Sequence, residues 1–272
     1  MINIEISLIM IELSLPSYAY DTVLTFIRDF TKNKKIVIGL SGGIDSAVVA
    51  SLCARALGNK SVLAVYMPDA KSNPKDSSDV KLLSENLDIE LRTFYIDKIL
   101  DTYENIVENL DTLATGNLKS RIRMSILYSL ANKENRLVAG TSNKSEILTG
   151  YFTKYGDGAA DFYPIADLYK TQVKELAKMI DIPKSIIEKT PTAGLWIGQT
   201  DEKELGIKYN DLDIILYEFE LGLNAGEIAD MTGYDIKKIK DVEERIQNSK
   251  HKRIIFYVPK VGVRTVGIDW RD

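Results

Sequence analysis

Lys35-Ile36-Val37-Ile38-Gly39-Leu40-Ser41-Gly42-Gly43-Ile44-Asp45-Ser46-Ala47-Val48-Val49-Ala50 is the stretch that decides the fold of this chain. A β-branched apolar run breaks into a Gly-rich turn and then into small apolar residues, in the order strand, anion loop, helix. Paired glycines let backbone N–H groups come close to an anion, and the helix N-terminus behind them adds partial positive charge. A Walker loop ends in Gly-Lys-Ser/Thr, whereas Ile44-Asp45-Ser46 stand at the corresponding positions here. A carboxylate in place of the lysine is electrostatically wrong for a bare triphosphate. It becomes sensible if Asp45 holds a Mg²⁺ ion that bridges to the phosphates. Ser41 and Ser46 then add hydroxyl donors. A ligand-free Gly-rich turn is the alternative.

Composition narrows the class. A chain of 272 residues suffices for one large α/β domain with ample core. With 35 basic and 39 acidic side chains the net charge is −4, which argues against nonspecific nucleic-acid binding. The single cysteine, Cys53, excludes an internal disulfide and a Cys-rich zinc module, and it suits a reducing cytoplasm. It lies among Val48, Val49 and Leu52, which favours packing over nucleophilic chemistry. The apolar start carries Glu5 and Glu12 and no basic flank, so it reads as neither membrane span nor secretory leader. Alternation at Ile2, Ile4, Ile6 and Leu8 allows an extra strand in residues 1–15. A disordered lead, with Met10 as the true start, is equally compatible.

Further strands are expected at 62–67, 91–96 and 136–139. Helices are expected from Pro16-Ser17 (Ser17 as N-cap), after Asn73-Pro74, over Ile99, Tyr103, Ile106 and Leu110, and from 117 to 132. This alternation predicts an α/β fold with a doubly wound parallel sheet flanked by helices. Beyond Pro164 the pattern turns helical, near 171–180, 210–220 and 236–246, and 254–258 reads as a strand or an ordered tail. One domain spanning 1–272 with a helical C-terminal extension is the simplest organisation. Ligands of such sheets bind beyond the strands' carboxyl ends. Two exits carry chemistry: the one from Ser41 onward and Gly140-Thr141-Ser142-Asn143-Lys144-Ser145-Glu146. Glu146 is the natural second carboxylate for the Mg²⁺ of Asp45, or else complements a helix dipole.

Ser-Gly-Gly-x-Asp-Ser at 41–46 resembles the pyrophosphate loop of the N-type ATP pyrophosphatases, an adenine nucleotide alpha hydrolase-like fold. That resemblance implies cleavage of ATP between the α and β phosphates. Further blocks stand in matching order: Gly116-Asn117-Leu118-Lys119-Ser120-Arg121-Ile122-Arg123-Met124, Gly140–Glu146 as quoted, Lys154-Tyr155-Gly156-Asp157-Gly158-Ala159-Ala160-Asp161, Lys170, Pro191-Thr192-Ala193-Gly194-Leu195 and His251-Lys252-Arg253. Together they resemble the ammonia-dependent NAD synthetases over nearly the whole chain. The resemblance implies that deamido-NAD, ATP and ammonia give NAD, AMP and pyrophosphate through an adenylate. ATP binding falls to Gly39, Leu40, Ser41, Gly42, Gly43, Ile44, Asp45, Ser46, Thr141, Lys170 and Thr192. Deamido-NAD falls to Arg121, Lys154, Asp161, His251 and Lys252, and Mg²⁺ to Asp45 and Glu146. Asp157 lies near the ammonia, and Lys170 neutralises the β and γ phosphates in place of the absent Walker lysine. A cytoplasmic homodimer is implied, without nucleic-acid or membrane partners.

Each residue also has a plainer reading. Thr141 and Thr192 suit a turn or cap hydroxyl, Lys170 a solvated helix start, and 251–253 a solvated basic run. Arg123 is expected in a structural ion pair, because i and i+2 positions do not share a helix face. Gly158 is a candidate for positive φ. The amidase domain of glutamine-dependent relatives has no counterpart in these residues, and Cys53 is misplaced as its nucleophile. A GMP synthetase-type enzyme fits less well, mainly on the 154–161 block, and so does a tRNA thiolase, which needs further cysteines and commonly a basic RNA surface that this sequence lacks. The segment from Glu227 to Ile246 superficially reads as helix-turn-helix, but its charge-mixed second helix favours a structural hairpin.

Overall fold

The protein is described from a computed structural model covering residues 13–196, 198–254 and 257–265. Four strands form its sheet: β1 (Ile36–Gly39), β2 (Val62–Tyr66), β3 (Glu90–Thr93) and β4 (Leu137–Ala139). Their order is β3-β2-β1-β4, and every pairing is parallel. Ile36 aligns with Val62 on one side and with Leu137 on the other. The chain therefore winds outward from β1 through β2 to β3 and then returns to the far side of β1. That reversal opens a crevice between the ends of β1 and β4.

Helices α1 (Ala19–Thr31), α2 (Ile44–Leu57), α3 (Pro74–Asn86), α4 (Asp97–Ile106), α5 (Thr112–Glu134), α6 (Lys144–Thr149), α7 (Lys170–Met179) and α8 (Lys184–Ile187) flank the sheet. Ile36 and Ile38 pack with α1, α2 and α7 through Ile27, Leu52 and Leu176. Val37 joins Leu63, Val65, Leu100 and Ile122 on the opposite face. Side chains that alternate across a strand require this division, so both faces are covered. Cys53 is wholly buried in the first of these cores.

The C-terminal part continues as α9 (Asp201–Leu205), α10 (Tyr209–Glu220), α11 (Ala225–Thr232), α12 (Ile236–Asn248) and α13 (Lys250–Arg253). Leu212, Ile215, Ile228, Ile239 and Val242 give it a separate core. The hairpin of α11 and α12 spends its apolar face there, and Gly233 makes the left-handed cap between them.

Several local expectations are corrected. Tyr18, not Ser17, precedes α1, and the turn is closed by the Ala19 N–H donating to the Pro16 carbonyl. β3 ends at Thr93, before the expected Ile96, and α4 ends before Leu110. α5 begins at Thr112, five residues before Asn117, because the Asp111 carboxylate caps the Ala114 N–H. The proposed strand at Ile2 to Leu8 lies outside the described residues. So do Ile255 and Phe256 of the proposed 254–258 strand, whose described remainder is not extended into a sheet.

Candidate active site

The loop after β1 is held by its own hydroxyls. Ser46 Oγ donates to the Gly43 carbonyl at 3.0 Å, while Gly43 N–H donates to Ser41 Oγ at 3.2 Å. Gly42 has φ +78°, and a Cβ there would press on the α3 backbone at Asp76. Both conformation and space therefore require glycine. Lys189 fixes the outer side of the loop, donating to the Gly42 carbonyl at 3.0 Å, to Asp79 Oδ2 at 3.1 Å and to Asp76. Sequence reading missed Lys189, since it meets the loop only through the tertiary fold.

At the neighbouring exit, Asn143 and Glu146 form a reciprocal capping box at the start of α6. Asn143 Nδ2 also donates to Asp45 Oδ1 at 3.0 Å, joining the two exits. Lys170, at the start of α7, sits between the carboxylates: its Nζ is 2.5 Å from Asp45 Oδ2 and 3.2 Å from Glu146 Oε1. Asp45, Lys170 and Glu146 thus converge from three separate segments. Glu146 fulfils its plainer reading as a helix-start carboxylate, and the same side chain also reaches Lys170.

Burial sets the electrostatics. Desolvation pushes the Glu146 carboxyl up to about 8 against the opposing pull of Lys170. Burial by itself lowers Lys170, but Asp45 and Glu146 outweigh it and hold the ammonium above its ordinary range. A cation that two carboxylates reach together is the requirement for a shared Mg²⁺ as well. Among the described residues no cluster of three or more His, Cys, Asp or Glu forms a metal cage. Two carboxylates nevertheless fit Mg²⁺, which keeps water and substrate phosphate oxygens in its shell.

The loop opens into a cleft of about 470 Å³ that reaches Thr141, Asp157, Thr192, Asp201 and Lys252. Thr192 Oγ1 accepts from the Gly194 N–H, the turn role, while facing this cleft. Asp157 Oδ1 accepts from Ser120 Oγ at 2.7 Å and from Thr153 N–H at 2.9 Å. Gly158 has no positive φ; Tyr155 does, at 62°. What Gly158 supplies is room, because a Cβ there would strike the Phe152 ring.

Arg121, Lys154, Asp161 and His251 do not line the cleft. Arg121 Nε donates to the Lys154 carbonyl at 3.3 Å, and Lys154 Nζ to the His251 carbonyl at 2.8 Å, so these three meet on its outer side. Asp161 Oδ2 accepts from Val138 N–H at 2.7 Å at the edge of β4. Lys252 Nζ donates to the carbonyls of Gly150 and Phe152, both at 2.7 Å. Arg253 donates to the carbonyls of Ile147 and Leu148 at the end of α6. The basic run therefore satisfies orphan helix and loop carbonyls. Arg123 makes no ion pair among the described residues; its Nε donates to the Met67 carbonyl at 2.9 Å and it lines the cleft.

A Gly-rich anion loop and a lysine between two carboxylates, at the switch point of a parallel sheet, define a nucleotide-dependent α/β enzyme. The NAD synthase family model matches residues 19–255. The NH(3)-dependent NAD(+) synthetase of Pyrococcus horikoshii is 49% identical over 86% of this chain and 92% of its own length. That of Methanocaldococcus jannaschii is 49% identical over 87% and 94%. Among solved structures, NMN synthetase from Francisella tularensis aligns with TM-score 0.80 and 36% identity, over 90% of this chain and 98% of that one. The chain belongs to the NAD synthase family, and its activity is the ATP-dependent amidation of deamido-NAD to NAD. It is accordingly a carbon–nitrogen ligase.

Proposed function

We propose that the cleft carries out this amidation in two steps, with Asp45, Glu146 and Lys170 as the centre of the first. The observation that carries the reading is Lys170 lying between the two carboxylates beside the loop. The nicotinate carboxylate attacks the α phosphorus of ATP, a C–O–P linkage forms, and the bond to pyrophosphate breaks. Loop N–H groups receive the departing pyrophosphate. Mg²⁺, when bound by Asp45 and Glu146, supplies charge neutralisation at the phosphates. Lys170, whose ammonium stands beside both carboxylates, would neutralise charge on the β and γ phosphates. Ammonia attacks the adenylated carbonyl in the second step, and AMP leaves.

Arg121, Lys154, Asp161, His251 and Lys252 take deamido-NAD along the outer rim, and Thr141 and Thr192 contact ATP. Asp157 stands on the side from which ammonia enters. The protein works as a homodimer in the cytoplasm. The exposed face of α4 supports the homodimer, with Ile99, Tyr103 and Ile106 open to solvent and Ile106 73% exposed. No helix among the described residues is long and apolar enough to cross a membrane.

Incubation with ATP, Mg²⁺, ammonium and deamido-NAD should yield NAD, AMP and pyrophosphate in equal amounts. ADP as the main product would overturn the adenylate. Nicotinate mononucleotide in place of deamido-NAD separates this reading from the activity named for the Francisella structure. Glutamine in an ammonium-free preparation should give negligible NAD.

A further inference from the structure

We propose that Lys189 is a positioning residue for the leaving pyrophosphate: by holding the Gly42 carbonyl outward, it aims the Gly43 N–H into the cleft. This inference rests on the two-step amidation described above. Lys189 lies two residues beyond α8, and its Nζ donates to the Gly42 carbonyl at 3.0 Å. At the other end of the same peptide bond, the Gly43 N–H donates to Ser41 Oγ at 3.2 Å. A trans peptide is planar, and its C=O and N–H point to opposite sides. The described residues hold no cis bond, so fixing the oxygen fixes the hydrogen. Ser41, Gly43 and Ser46 line the cleft, whereas Gly42 does not.

This peptide needs a restraint from outside the loop. Glycine stands on both sides of the 42–43 bond. Its plane turns over by changing one dihedral at each glycine, and no Cβ opposes either sense. Turned over, it would aim a carbonyl oxygen at the phosphates and withdraw one N–H from the anion nest. A charged donor on the Gly42 oxygen makes that turn costly.

Lys189 acts through the loop and not on the phosphate. An ammonium has three donors. All three are committed, to the Gly42 carbonyl, to Asp79 Oδ2 at 3.1 Å and to Asp76 Oδ1. Asp76 and Asp79 stand three residues apart on α3 and so share a face of it. Ser185 Oγ of α8 donates to Asp79 Oδ1 at 3.0 Å, which ties that carboxylate down in turn. Two carboxylates against one ammonium leave the cluster negative, so it does not draw pyrophosphate in. What α3 and α8 supply is a fixed place for Nζ beside the loop.

The test runs ATP–pyrophosphate exchange with deamido-NAD, without ammonium, on wild type, Lys189→Met and Lys189→Arg. Lys189→Met should raise the pyrophosphate concentration for half-maximal exchange ~10-fold, the scale of one charged hydrogen bond. The corresponding deamido-NAD concentration should stay within about twofold of wild type, because that substrate does not use the loop N–H. Lys189→Arg keeps a cation with several donors and should recover most of the loss. A merely structural defect lowers the maximal rate through the active fraction and moves neither concentration. An unchanged pyrophosphate value in Lys189→Met, or an equal rise for both substrates, would overturn the proposal.

A second measurement separates orientation from direct contact. In protein labelled with isotopic glycine and free of ligand, Lys189→Met should shift the Gly43 amide resonance and speed its hydrogen exchange. An unmoved resonance would mean that Lys189 meets the phosphate itself, and it overturns the positioning role. Absence of exchange activity in wild type defeats the amidation reading alone. The Gly43 resonance, titrated with inorganic pyrophosphate and Mg²⁺, then decides: a weaker response in Lys189→Met than in wild type supports the proposal, and an equal one overturns it. Should Lys189→Met fail to fold, adding Asp79→Asn removes one of the two carboxylates left without their cation, and the double variant carries the same measurements.

Discussion

Lys170 Nζ lies 2.5 Å from Asp45 Oδ2, although 125 residues separate them in the chain. The lysine that a Walker loop carries within the loop is here delivered from another helix, opposite a carboxylate that takes its sequence position. Glu146 shares the same ammonium at 3.2 Å. The three groups form one electrostatic unit, and its members should respond to substitution together.

Asp45→Asn and Glu146→Gln should each fold and lose on the order of 100-fold in kcat/KM, as groups holding a catalytic ion do. The double variant should be scarcely worse than the poorer single one, because the pair acts as a unit. Added Mg²⁺ should restore part of the loss by mass action. Steady-state rates at limiting and saturating Mg²⁺ check this, and near-wild-type turnover of Glu146→Gln at limiting Mg²⁺ would remove Glu146 from the metal site.

Lys170→Met should destabilise the metal-free protein by ~3 kcal/mol, since it leaves two half-buried carboxylates facing each other. Mg²⁺ should then raise the melting temperature of the variant by more than that of wild type, because the ion replaces the missing charge. Calorimetry with and without Mg²⁺ decides the matter. Equal metal-induced shifts in the two proteins would mean that the carboxylates do not form a cation site.

Gly140→Ala should cost about 1–3 kcal/mol by overpacking. A Cβ at Gly140 would collide with the Tyr163 ring and with Ala160, both beside the end of β4. Gly206→Ala is the control for positive φ alone, since its Cβ would meet nothing nearby. Chemical denaturation of both variants separates the cost of lost space at position 140 from the cost of a positive φ at position 206.

Cys53 should resist thiol-directed aryl disulfides in the native state. Burial pushes its thiol from 9.0 up to about 12. The sign for stability follows: the unfolded thiol loses its proton above pH 9 while the folded one keeps it. The unfolded state then binds fewer protons, and stability falls as pH rises between those values, by up to about 1.4 kcal/mol per pH unit. Cys53→Ser should flatten that slope in pH-dependent unfolding, and an unchanged slope would contradict it.

Much of this was legible in the chain itself. The β-branched run before Gly39, the Gly-rich turn and the Asn73-Pro74 turn that opens a helix act within a few residues, where periodicity and turn chemistry operate. They determined a parallel sheet, its anion loop and the second loaded exit at Glu146. The order β3-β2-β1-β4 brought those exits together, and packing of α7 against α2 and α6 placed Lys170 between their carboxylates. Tertiary structure alone decided that Lys189 grips the Gly42 carbonyl and that Arg123 faces the cleft while Arg121 lies outside it. Residue type and spacing carry local backbone preference and the periodicity of burial. Whether a charge is dry, paired or left open depends on what distant segments the fold sets against it.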